Sequence, residues 1–189
     1  DDLNQGKDVH LARFEFVEGK RYFDEKPTRL EPGQPIVVEG LHALNDSLTY
    51  MLPRYEKVKI SLGVLTQIRI NDHNRISTSD TRIIRRMVRD HQFRGRGPEA
   101  TMEIWGDVRR GEEKNIYPYQ EDADTIFNTA LPYELAVLKP YAEPLLESIG
   151  QDSPYYTEAQ RLVKFLKPFK PVDSSVVPMN SLLREFIGK

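Results

Sequence analysis

The chain has no cysteine, so disulfide staples and thiolate metal sites are excluded, and a reducing compartment is compatible with it. It has no apolar run long enough to span a bilayer, and its polar opening, DDLNQGKD, does not read as a signal peptide. That opening has no start residue either, so the chain reads as a piece of something longer. Repeats and low-complexity stretches are missing. So are HExxH, GxSxG and the phosphate loop GxxxxGK[ST]. The four histidines, His10, His42, His73 and His91, lack metal-ligand spacing and read as structural or exposed residues. The net charge of -2 gives no global basic field for nucleic acid.

What is present is ample material for a core: 189 residues, 39% of them hydrophobic. The spacing predicts a helix within Ser77–Gly97. Ile83, Ile84, Met87 and Val88 form one stripe. Arg82, Arg85, Arg86 and Arg89 form the opposite one. Ser77, Thr78, Ser79 and Asp80 are candidate N-caps, and Gly95 and Gly97 end the helix. Like charges at i, i+4 destabilise an isolated helix. A run of arginines therefore needs an anionic ligand or facing carboxylates to offset it, and guanidinium forks suit phosphates. A solvated charged face is the plainer alternative.

Before this helix, ARFEFVEGKRYF reads as a β-hairpin turning at Glu18-Gly19. IVVEG, bounded by turn signals, reads as a buried strand of a parallel sheet that places Glu39 at its carboxyl end. A carboxylate there suits Mg2+ or an attacking group, or simply caps a following helix, LHALNDSL. Alternation from Val58 to Val64 gives another strand, with a polar face that sets it near a sheet edge. Pro98 opens a helix with Ala100, Ile104, Trp105 and Val108 on its apolar side, running out at Arg109-Arg110-Gly111. DTIFN is a short strand. Tyr133–Ile149 is helical in period, with a break expected before Pro140. Residues 1–150 form the main domain. Residues 151–189 form a helical extension, with an amphipathic stretch Glu158–Phe169 and a last helix in SLLREFI capped by Asn180 or Ser181. On residues alone, this is an α/β domain handling a phosphorylated ligand.

As an ordered set these pieces resemble the C-terminal part of the uridine kinase / phosphoribulokinase family, over about residues 9–149. FEFVEGKR is similar to that family's YDFxxxxR hairpin, and IVVEGLHAL to its strand ending in Glu-Gly. DTRIIRRMVRDHQFRGR is similar to the lid helix DxRLxRRxxRDxxxRGR, and ADTIFNTAL to a late strand. RRGEEKNIYPYQEDAD and NSLLREFIG resemble a bacterial subgroup whose longer chains join a synthetase-like segment to a uridine-kinase-like domain. The resemblance implies a partial P-loop-kinase-like parallel sheet flanked by helices, with an N-terminal hairpin and a helical tail.

The resemblance also implies ATP and Mg2+ as cofactors and γ-phosphoryl transfer to a nucleoside or another small hydroxyl-bearing substrate, in the cytoplasm and without membrane. Glu39 would stand near Mg2+. Arg85 and Arg89 would be the principal lid arginines, with Arg82, Arg86, Arg94 and Arg96 also on phosphates. At least one of the other stripe arginines is expected to pair with protein carboxylates instead. Phe14, Phe16 and Arg21 would line the acceptor site. Phe14 replaces a family Tyr and Gly19 a family His, which removes polar contacts to a nucleoside. The family's P-loop and catalytic Asp precede the matching part, so the chain alone is expected to be inactive. A non-catalytic nucleotide-binding or self-association module is the alternative, and RNA binding ranks last. A sheet lacking its P-loop strand is expected to expose apolar edges and to self-associate.

Overall fold

A computed structural model describes residues 2–15, 17–66, 69 and 75–189. The chain is α/β: an antiparallel hairpin, a small parallel sheet and helices, consistent with a partial P-loop-kinase-like fold. It forms two compact units, Asp1–Val58 and Lys59–Lys189.

In the first unit, β1 (Ala12–Glu15) pairs antiparallel with β2 (Lys20–Phe23). Gly19 closes the turn at φ +66, a left-handed value that a side chain resists, with its N–H on the Glu15 carbonyl at 2.8 Å. Val9 and Thr28 exchange two backbone hydrogen bonds and extend the hairpin. The stretch IVVEG departs from expectation. Among the described residues it is not a strand and pairs with nothing, and Val37 and Val38 are 89% and 68% exposed. A parallel strand needs hydrogen-bonded neighbours and cover on both faces, and this run has neither. A turn and a short 3-10 helix, Asp46–Leu48, follow it.

The second unit holds the core. β3 (Ile60–Gly63) and β4 (Thr125–Asn128) run parallel, with Leu62 opposite Phe127. The polar face of β3 is the covered one: Lys59 and Ser61 are buried, whereas Ile60 and Leu62 are 52% and 65% exposed. Among the described residues this sheet has two strands, and its apolar side is open. Past the strand ends, Asn128 imitates the backbone. Its Oδ1 accepts from Leu65 N–H at 2.9 Å and its Nδ2 donates to the Leu65 carbonyl at 3.0 Å.

Helix α1 (Thr78–Phe93) starts on Ser77, whose hydroxyl accepts from Asp80 N–H at 3.3 Å. Ile83, Ile84, Met87 and Val88 are all buried. After Pro98 the chain forms α2 (Pro98–Glu103), turns at Ile104 and continues as α3 (Trp105–Asn115). That helix passes through Gly111 instead of ending there.

Helix α4 (Glu134–Glu147) likewise runs unbroken through Pro140 and Pro144. A proline removes the N–H that would bond the carbonyl four residues back. Pro140 thus frees the Ala136 carbonyl, and Val172 N–H takes it at 3.1 Å. Pro144 frees the carbonyl of Pro140, an exposed residue that solvent can serve. The C-terminal segment carries α5 (Tyr156–Leu166) and α6 (Arg184–Ile187). It completes the core with Leu162, Leu166, Leu183, Phe186 and Ile187.

Leu162 is fully buried, so Leu162→Ala should lower stability by about 2–5 kcal/mol. Trp105 is the chain's one tryptophan and packs against the same core. Its fluorescence in urea should report that loss as a shifted midpoint within a single transition.

Candidate functional site

The arginine face of α1 opens on a cleft of about 160 Å³ lined by Arg82, Arg85, Arg86 and Arg89. Val64, Trp105, Val108 and Phe186 supply its apolar walls, and Glu112 completes it. The carboxyl ends of both parallel strands adjoin it: Val64 follows β3, and Thr129, which follows β4, holds Arg85. Ligands of open α/β sheets gather at strand ends of this kind.

The four arginines are unequal. Arg82 makes a bidentate pair with the buried Glu112. Burial works against the Arg82 charge, but Glu112 outweighs it and holds the guanidinium above its ordinary pKa. Arg85 is buried. Its Nε donates to Glu134 Oε2, its NH2 to the Thr129 carbonyl at 2.7 Å and its NH1 to Thr129 Oγ1 at 3.3 Å. The Phe186 ring lies 5.3 Å from the Arg85 guanidinium carbon. Burial pushes the Glu134 carboxyl up, and Arg85 pulls it partly back.

Asp90, 1% exposed, is the anchor for the rest. Its Oδ1 accepts from Arg89 Nε and NH2 at 3.1 and 3.0 Å and lies 3.3 Å from Arg94 NH1. Its carbonyl accepts the Arg94 and Arg96 N–H groups. The Arg96 side chain is exposed and has no polar contact among the described residues. Arg89 also reaches Glu185 at 3.9 Å.

Arg86 is different. Its Nε lies 3.3 Å from Asp90 Oδ2 but makes no hydrogen bond there, and both buried atoms are left unsatisfied. Its remaining nitrogens have no partner among the described residues, and the side chain is 22% exposed toward the cleft. Burial pushes the Arg86 guanidinium down. Asp90 opposes this, and Arg89, Arg94 and Arg96 add to it by repulsion. A half-buried cation among other cations calls for an anion. The sequence pattern could not single it out, because which arginines meet carboxylates depends on Glu112 and Glu134, distant in the chain.

The other expected residues lie in the first unit. Phe14 and Arg21 are cross-strand partners on the hairpin, and the Arg21 guanidinium lies 5.2 Å from the Phe23 ring. Phe16 lies outside the described residues. Glu39 is exposed and not at a strand end. Among the described residues no three His, Cys, Asp or Glu side chains gather to hold a metal.

The arginine cleft thus sits at the strand ends of a parallel α/β unit. The chain belongs to the phosphoribulokinase / uridine kinase family, whose model matches residues 1–135. It is 31% identical over 126 residues to a uridine kinase of Macrococcus caseolyticus (strain JCSC5402). It is 30% identical over 127 residues to uridine kinases of two Staphylococcus epidermidis strains, RP62A and ATCC 12228. Each alignment covers 66% of this chain and 52% of the relative, so the chain spans about half the length of the curated relatives it matches. No solved structure matches it. No helix among the described residues is long and apolar enough to cross a membrane.

The buried pair gives a test with a definite sign. Arg85→Met should cost about 3–5 kcal/mol at neutral pH, because Glu134 is left buried and unpaired. Burial is then opposed only by the Leu131 N–H, and the folded-state pKa of Glu134 rises further. The native state holds that proton to higher pH than the unfolded chain does. The variant should therefore be most stable in acid and lose stability as pH rises through the folded-state value. Urea midpoints across pH check this, and adding Glu134→Leu should recover most of the neutral-pH loss.

Proposed function

We propose that this chain supplies the lid and acceptor hairpin of an ATP-dependent nucleoside kinase acting in the cytoplasm. The observation that carries this reading is Arg86, half-buried among cations with its fork unengaged in an arginine-lined cleft. In this reading Arg86 and the outer face of Arg89 grip the ATP phosphates, while Arg82 and Arg85 shape the cleft from their carboxylate partners. The charge that develops on the transferred γ-phosphoryl group is stabilised by these guanidiniums, held in place before ligand arrives. Mg2+ bound with the phosphates would supply further charge neutralisation, with Glu39 as its protein ligand or water holder. The hairpin bearing Phe14 and Arg21 lines the acceptor. Phe14 offers a ring face where a phenol would add a hydrogen bond, so the acceptor is a nucleoside or small alcohol bound mainly by stacking.

ATP with Mg2+, titrated calorimetrically into the chain, should bind with an affinity that falls steeply with salt. Arg86→Ala should weaken binding about tenfold to a hundredfold, the scale of a lost charged hydrogen bond, with an unchanged circular dichroism spectrum. Turnover is measured on the full-length protein that carries this chain. If that protein binds ATP without consuming it, the module is a nucleotide binder and not an enzyme.

The open apolar side of the β3–β4 sheet, with Ile60, Leu62 and Phe127 exposed, also supports self-association of the chain. Light scattering should show mass rising with concentration, and a monomer at every concentration would remove this part of the reading.

A further inference from the structure

Helix α6 lies outside the stretch matched by the family, yet it forms one wall of the arginine cleft. Several contacts pin it there. Arg184 donates to the carbonyls of Ser174 and Val177 at 3.0 and 2.5 Å and to that of Gly188 at 3.2 Å. Phe186 and Ile187 are buried, and Phe186 covers Arg85. Gly188 leaves the helix at φ +83, and a Cβ there would stand 3.5 Å from the Phe93 ring of α1. A rigid wall therefore carries one exposed carboxylate to the cleft rim. That carboxylate is Glu185, 55% exposed and 3.9 Å from Arg89 NH1, and its charge also acts on Arg94.

We propose that Glu185 is an internal competitor for the anion that the arginine cleft binds. The proposal rests on the reading of this cleft as a polyphosphate site. Arg89 is held at Nε and NH2 by Asp90, so its orientation does not depend on Glu185. Its NH1 faces Glu185 across a long, solvent-exposed contact that a phosphate oxygen can replace at little cost. Ligand entry exchanges one anion for another on a fixed fork, and the swung-out Glu185 then repels the bound phosphates weakly. The C-terminal segment thereby sets the affinity of a site whose arginines lie in the family-matched stretch.

Tripolyphosphate, titrated into the chain at low salt, tests this without any need for turnover. Glu185→Gln should bind it about two- to fivefold more tightly than wild type, the scale of an exposed ion pair. Glu147→Gln, an equal change of net charge at an exposed position on α4, should not. Equal or weaker binding by Glu185→Gln, beside a wild type that binds, overturns the competitor role and leaves the phosphate site standing. Tightening by both variants alike also overturns it, because net charge then explains the gain. If neither wild type nor Glu185→Gln binds, the phosphate site fails and the competitor role fails with it.

Discussion

The buried ion pair between Arg85 and Glu134 is the constraint from which the second unit is assembled. Through Thr129 it ties α1 to the ends of both parallel strands, since Thr129 also bonds the Gly63 carbonyl. Through Glu134 it fixes the start of α4, where the same carboxylate accepts from Leu131 N–H at 3.1 Å. Through Phe186 it reaches α6. A pair this deep contributes little net stability, because desolvation offsets most of its attraction. Its effect is on geometry: it holds one guanidinium rigidly at the cleft, and the neighbouring arginines take their positions around it.

Asp90 organises those neighbours. Arg86, Arg89 and Arg94 lie close enough to repel one another, and one buried carboxylate with the helix C-terminal turn keeps them together. A single charge cannot neutralise three, so the cluster keeps a positive excess directed at the cleft. The helix is stable because its other face buries Ile83, Ile84, Met87 and Val88. Apolar packing thus offsets an electrostatic arrangement that would be unfavourable by itself.

Much of this was legible in the chain. Both faces of α1, its Ser77 cap, the hairpin turn at Gly19 and the strand DTIFN follow from periodicity and turn chemistry, which are local. What was not legible depends on distant partners. IVVEG has the composition of a central strand, but composition cannot supply the neighbours it needs. The alternation of β3 marks a strand, yet which face is covered is a property of the whole unit. Pro140 should stop a helix, and it does not because Val172 N–H serves the carbonyl it frees. Arg85 and Arg89 stand out on the stripe, but Glu112, Glu134 and Asp90 sort the arginines, and only Asp90 is close in sequence. The unengaged fork of Arg86 appears only once those pairings are drawn.

The bond from Val172 to Ala136 makes the tail a missing rung of α4. Helix and tail therefore share one cooperative opening: fraying of residues 170–189 lays bare a carbonyl in mid-helix, and unwinding of α4 casts the tail loose. The same tail carries the cleft wall, so the site's shape is mechanically geared to the integrity of a helix on which none of its arginines resides.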